Sequence, residues 1–238
     1  MMTVERKFNG LQLKQIAFTS MIIDHFAVIF FHCYIYGGNF YLKLLYYIFR
    51  AIGRISFPIF SFLLIEGSKH TSNRRKYLVR LLLFALASEI PYDWGTTGIW
   101  INFNHQNVFF LFTLGLLVIC LFEQFQQMFS VVICVFLKFV LALGIMFLAE
   151  YLKIDYGYVG ILIILLIYLL NNKNLSIILS CLILTWLLKF ELFSFLAVVP
   201  ILLYNGNRGK YEKYLFYIAY PIQFFILRVS YFIILLFQ

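Results

Sequence analysis

Charge is scarce in this chain: Asp, Glu, Lys and Arg make up 12% of its 238 residues, about half the share of an ordinary soluble domain. A water-facing surface needs more, because even a well-packed core leaves much of a domain exposed. A soluble globular fold is therefore excluded, and so is a disordered chain, whose composition would be polar and strongly charged. Cysteine is also rare, with Cys33, Cys120, Cys134 and Cys181 far apart inside or beside apolar runs. That spacing excludes a disulfide scaffold and offers no zinc or redox pair, which leaves the four as small core residues. The stretch Met1 to Gly10 lacks a small-residue cleavage site ahead of the apolar run that follows, so the first helix reads as retained. Internal repeats and low-complexity linkers are missing too.

What the sequence has in abundance is apolar surface: 63% hydrophobic residues and 21% aromatic, mostly 29 Phe and 17 Tyr. Runs of about 20 apolar residues predict transmembrane helices. The reading is an all-α, polytopic transmembrane helix bundle of about nine spans (eight to ten), one membrane-embedded domain over residues 1–238. The spans are expected at about 11–33, 44–66, 76–90, 107–121, 129–149, 156–170, 175–188, 193–204 and 214–236, the eighth being too short to cross unaided. Pro58 is expected to bend the second span, and the segment from Pro91 to Gln106, with Trp94 and Trp100, to lie at the bilayer interface.

The net charge of +9 would suggest nucleic acid in a soluble protein, but here the placement of the charges matters more, and no nucleic-acid partner is expected. With the N-terminus cytoplasmic, inward loops hold Arg6, Lys7, Lys69, Arg74, Arg75, Lys76, Lys173, Arg208, Lys210 and Lys213, whereas outward loops hold Lys43, Lys153 and Lys189. That asymmetry follows the positive-inside rule and also supports the weak eighth span.

Ionisable residues at membrane depth are costly unless they face protein or water, so they mark function. They are Lys14, Asp24, His25, Arg50, Arg54, Glu66, Arg80, Glu89, Lys138 and Arg228, most of them in the first 90 residues. Lys14 and His25 stand eleven residues apart, which on a helix returns to nearly the same face about 16 Å along the axis. A cation at a mouth and an imidazole deep inside suit a long ligand with a phosphorylated head and a reactive tip, on the scale of the pantetheine arm of coenzyme A. Asp24 is about 100° around the helix from His25, so Glu66 or Glu89 is as plausible a carboxylate partner for the imidazole. Arg50 and Arg54 share a face one turn apart and need anions, either protein carboxylates or substrate oxygens. The basic loop Ser68 to Lys76, with Arg80 a turn further on, fits anionic lipid headgroups or the phosphates of coenzyme A. No metal site is expected.

Several segments resemble the TraX family of conjugal-transfer membrane proteins. They are Lys14-Gln15-Ile16-Ala17 through Ile23-Asp24-His25, Gly53-Arg54-Ile55-Ser56-Phe57-Pro58-Ile59-Phe60, Glu66-Gly67, Tyr77 to Leu81, Ala87-Ser88-Glu89-Ile90-Pro91-Tyr92-Asp93, and Gln106 to Phe110. The second half is similar in hydropathy and in Tyr217…Tyr220-Pro221. The founding member of that family acetylates the N-terminus of pilin, and the family is similar to the acyltransferase-3 group, whose first helix carries a basic residue and a histidine at the spacing of Lys14 and His25. One position departs: related sequences tend to have histidine two residues after the Tyr-Pro pair, where this chain has Gln223.

The resemblance implies an integral membrane acetyltransferase of the bacterial cytoplasmic membrane, with acetyl-CoA as donor and a peptide or pilin amine, or a glycan or lipid hydroxyl, as acceptor. His25 would be the general base with Asp24 or Glu66 near it, and Arg54 with Arg50 would stabilise the oxyanion or bind the donor. Lys14, Arg74, Arg75 and Arg80 would hold the donor phosphates, and Glu89, Asp93 and Asn107 would line the acceptor side. Two rival readings are an ion-coupled carrier, in which Asp24, His25 and the arginines form a relay, and a non-enzymatic pilus assembly factor, in which the buried charges are structural pairs.

Overall fold

The computed structural model describes residues 7–32, 39–188, 192–210 and 214–237. Cys33, Arg6, Lys189 and Lys213, and the N-terminal stretch Met1 to Arg6, lie outside the described residues. Regular structure among the described residues is helical: α1 (Gly10–Phe31), α2 (Phe40–Gly53), α3 (Ser56–His70), α4 (Arg74–Thr97), α5 (Val108–Met128), α6 (Val131–Tyr151), α7 (Gly157–Leu169), α8 (Lys173–Leu188), a 3₁₀ segment Leu192–Ala197, α9 (Val198–Leu202) and α10 (Leu215–Leu236). Isolated bridges join Phe8 to Tyr204 and Gln106 to Ile154.

Asparagine starts four of these helices. The side chains of Asn9, Asn39, Asn73 and Asn107 accept from the backbone N–H of Gln12 (3.0 Å), Tyr41 (2.8 Å), Lys76 (2.9 Å) and Phe109 (3.0 Å). Each satisfies a donor that the first helical turn leaves open. In α1, Gln12 returns the bond to Asn9 N–H at 2.9 Å, completing a capping box. α4 ends on Gly98, whose φ of 81° lets its N–H reach Trp94 O at 3.0 Å.

Among the described residues five stretches are long and apolar enough to cross a membrane: Gly10–Phe31, Phe40–His70, Val108–Met128, Val131–Tyr151 and Leu215–Leu236. The sequence reading of about nine spans is thus supported only as an all-helical, membrane-compatible bundle. Helix α4 has 24 residues, but Arg80, Glu89 and Asp93 interrupt its apolar run. The expected eighth span is a six-residue 3₁₀ segment followed by the five residues of α9, about 20 Å in all, short of a hydrocarbon core of about 30 Å.

Two further expectations are corrected. The second span breaks at Arg54-Ile55 rather than bending at Pro58, which sits in the first turn of α3 where a missing N–H costs no helical bond. Helix α4 also runs through Pro91 to Thr97, because packing against α10 and α5 outweighs the bond proline removes. The non-helical part of the expected outward segment shrinks to about 98–107, which carries exposed Trp100 stacked on Trp94 at 4.9 Å.

The core lies among α3, α5, α7 and α8, around fully buried Ile59, Leu111, Ile119, Ile164 and Ile177. Helices α5 and α7 approach closely at glycine: a Cβ on Gly115 would stand 2.7 Å from Ile164 Cδ1. Small residues at such a seam give the van der Waals contact that replaces hydrophobic driving force inside lipid. Helix α1 packs on α2, α3 and α10, and α4 lies between α5 and α10. Most of α6 is exposed and apolar, as a lipid-facing helix would be. Neighbouring helices alternate in direction, so the starts of α1, α4 and α8 and the ends of α3, α5 and α7 share one end of the bundle. Lys7, Lys69, Arg74, Arg75, Lys76, Lys173 and Arg208 collect there, with Lys43 and Lys153 at the other end.

Candidate functional site

A cavity of about 550 Å³ enters the bundle from that basic end. Helical periodicity builds its walls: α1 contributes Gly10, Lys14, Phe18 and Met21, α3 contributes Phe60, Leu63 and Gly67, and α10 contributes Phe216, Tyr217 and Tyr220. Its mouth carries Lys14, Glu66, His70, Thr71, Ser72, Arg80 and Arg208. Arg80 lies 5.5 Å from the Tyr77 ring and 5.8 Å from those of Tyr214 and Tyr217, and Lys14 lies 6.0 Å from Phe216. Cations seated over aromatic faces keep their charge toward the opening. The deep end closes on Met21, Val108, Phe109 and Tyr220, about 10 Å along α1 from Lys14.

His25 stands one turn beyond Met21. Its ring centroid is 6.3 Å from that of Tyr220, edge-on, and 4.3 Å from that of Phe224. Gln223, on the same turn of α10, faces the imidazole. Beside it, Asp24 accepts an ion-paired hydrogen bond from Arg50 Nη1 and lies 3.6 Å from Arg54 Nη2, while Arg54 Nε donates to Arg50 O at 3.2 Å. The break between α2 and α3 makes this cluster possible, since it sets Arg54 at a helix end instead of mid-helix. Gly53 is required there because a Cβ would overlap the Asp24 carboxylate.

The opposite wall is held by the loop that returns from α4 to α5. Fully buried Asn107 donates from its backbone to Glu89 Oε2 at 3.1 Å and from Nδ2 to Ala85 O at 2.8 Å, with a second side-chain bond to Glu89. Asp93 Oδ2 accepts from Asn102 N–H at 2.7 Å. The loop is tied to the α6–α7 connection by Gln106 N–H to Lys153 O (3.0 Å) and Asp155 N–H to Gln106 O (2.9 Å). This seats Asp155 in the field of Arg54, Asp24 and Arg50; burial pushes its carboxyl above the ordinary range, and Arg54 pulls it partly back.

The fold thus brings Asp24, His25, Arg50 and Arg54 together, and places Lys14, Glu66 and Arg80 at the cavity mouth. Glu66 bonds Lys69 at 3.2 Å and lies 3.8 Å from His70 Nε2, so it is engaged at the mouth and not at His25. Glu89, Asp93 and Asn107 form a second polar group that shapes the α4–α5 loop. Arg74 turns away from the cavity to pair with Glu123 and to donate from Nε to Ser68 O at 3.1 Å, and Arg75 is exposed. Arg228 packs over Tyr231 and Phe232, and Lys138 donates to Gln126 Oε1 at 3.3 Å; both stand apart from the site. Among the described residues no group of three His, Cys, Asp or Glu side chains could hold a metal ion.

Sequence reasoning named Arg208 only as an inward-loop cation and Tyr220 only within the Tyr217…Tyr220-Pro221 element, and it did not reach Asp155, for which no local pattern existed to find. The Arg74–Glu123 pair, one-third exposed, braces the α3–α4 turn at the mouth. Alanine at either position is expected to lower stability, and a double-mutant cycle read by thermal unfolding in detergent should give a coupling of about 1 kcal/mol.

A family model described as TraX protein matches residues 9–230. The chain is similar to a protein of Dichelobacter nodosus named "Probable fimbrial assembly protein FimC, serogroup H1", 28% identical over 243 aligned positions covering 90% of this chain and 92% of that one. No solved structure matches.

Proposed function

Because the chain belongs to the TraX family, we propose that it is an integral membrane acetyltransferase that uses acetyl-CoA to acetylate a pilus or fimbrial subunit, or another amine or hydroxyl acceptor. The observation that carries this reading is the cavity itself: a cationic mouth, an aromatic shaft and a blind end one helical turn from a buried imidazole. The positive-inside rule sets the basic end in the cytoplasm, where acetyl-CoA is found. Lys14, Arg80 and Arg208 then meet the donor phosphates, and the pantetheine arm passes Phe18, Phe60 and Tyr217 toward His25. His25 takes the acceptor proton, while Asp24 holds Arg50 and Arg54 beside the reaction centre as a source of positive potential. Glu89, Asp93 and Asn107 shape the wall from which the acceptor approaches.

The test is acetyl-CoA binding to detergent-purified protein. Lys14→Ala and Arg80→Ala should each weaken binding about tenfold, as should removal of the 3′-phosphate from the donor, whereas Arg75→Ala should change it little. Failure of the wild-type protein to bind the donor saturably rejects this reading.

The name of the Dichelobacter relative favours a second reading, in which the protein assists fimbrial assembly without chemistry. The Asp24–Arg50–Arg54 cluster would then serve folding alone. Intact fimbrial assembly in cells carrying His25→Ala, with no acetylated product from wild type, would support it.

A further inference from the structure

Gln223 is only 6% exposed; its side-chain amide has the His25 imidazole as its hydrogen-bonding neighbour, and its Nε2 closes no hydrogen bond of its own within the described residues. It sits on α10 between Tyr220 and Phe224, both of which pack on the His25 ring, and its side chain faces that ring. Tyr220 also closes the deep end of the cavity, so Gln223, outside the lining, lies three residues along α10 from that end. A buried amide N–H without an acceptor is costly, and a ligand oxygen would complete its bonding. The neighbouring arginines are already engaged: Arg50 and Arg54 share the Asp24 carboxylate, and Arg54 Nε is spent on Arg50 O.

We propose that Gln223 is a catalytic residue of the acyl transfer, its side-chain N–H donating to the thioester carbonyl oxygen as that oxygen becomes an anion. This rests on the acetyltransferase reading. In the step, the acceptor amine or hydroxyl attacks the thioester carbon, forming the new C–N or C–O bond while the carbonyl π pair moves onto oxygen. His25 takes the proton lost by the acceptor, and the oxyanion is held by the Gln223 amide. Collapse reforms the carbonyl and breaks the C–S bond, and the departing thiolate recovers the proton from His25. The step yields acetylated acceptor and free coenzyme A, with no oxidant or reductant. The arginines act at longer range, through the potential that Asp24 only partly cancels.

The test uses Gln223→Met, which keeps the side-chain volume and removes the amide, and Gln223→Glu, which keeps the shape and supplies no N–H when ionised. Acetyl-CoA affinity, kcat, the pH–rate profile and thermal stability are measured for both and for wild type. The expected result is a fall of about 100-fold in each variant in the plateau kcat, reached where His25 is neutral, with donor affinity unchanged. Gln223→Met should also unfold at the same or a higher temperature, since it relieves a buried group with unmet bonds. Transfer within threefold of wild type in Gln223→Met overturns the proposal. So does a plateau kcat at the wild-type level with only the acidic limb moved, which would make Gln223 a positioning residue for His25, or a loss of donor binding parallel to the loss of rate, which would make it structural. A wild-type protein that binds no acetyl-CoA removes the underlying reading instead, which is a separate and recognisable outcome.

Discussion

Replacing His25 with alanine is expected to lower acetyl transfer by about a thousandfold and to leave acetyl-CoA affinity within a few-fold of wild type. The asymmetry follows from position. His25 is outside the cavity lining and one turn past its floor, so a donor bound as proposed would meet other side chains first. No other described histidine is placed to substitute: His70 is at the mouth with its side chain 71% exposed, His105 lies in the α4–α5 loop and His32 caps the far end of α1. Transfer and donor binding should be measured on the same purified sample. A variant that transfers at the wild-type rate sinks the base assignment, and one that loses binding and transfer together shows that His25 only supports the fold.

The second large effect is expected at Asp24. Its carboxylate faces two guanidinium groups, and its side chain and that of Arg54 are 16% and 14% exposed. Removing it leaves Arg50 and Arg54 side by side at membrane depth with no counter-charge from α1. Breaking a buried pair in this way costs about 3–5 kcal/mol, mostly from the charges left behind. Asp24→Ala should therefore unfold at markedly lower denaturant or temperature. The triple replacement Asp24→Leu, Arg50→Met, Arg54→Met should recover much of the loss, since apolar residues of similar size carry no desolvation penalty. It should remain inactive if the arginines supply potential to the reaction. Gly53→Ala should mimic a part of the Asp24 defect, because its added Cβ would displace the carboxylate. An Asp24→Ala protein as stable as wild type would refute the ion-pair account of this cluster.

Local rules served well wherever the deciding interaction was local. The Lys14–His25 spacing placed one residue at a mouth and the other deep in the bundle because helix pitch alone sets that distance. The same rules failed at Gly53-Arg54, since an apolar run has the same composition on both sides of a break. They failed at Pro91, where the lost N–H argued for a helix end and packing on α10 kept the helix going. The Arg74-Arg75 pair read as a phosphate cradle because Glu123, the partner that claims Arg74, lies 49 residues further along the chain.

Composition and run length, taken alone, determined an all-helical chain with several helices long and apolar enough to cross a membrane and few charges within them, because lipid admits no unpaired backbone and little ionised surface. Run length put the starts of α1, α2, α4 and α5 near 11, 44, 76 and 107, and the asparagine caps, each acting within the next three residues, fix them at Gly10, Phe40, Arg74 and Val108. Tertiary structure decided what those charges meet: Asp24 with Arg50 and Arg54, Glu89 with Asn107, and His25 with Gln223 from the other end of the chain. Such pairings depend on how helices far apart in sequence pack side by side, and no periodicity within a single helix encodes its neighbour.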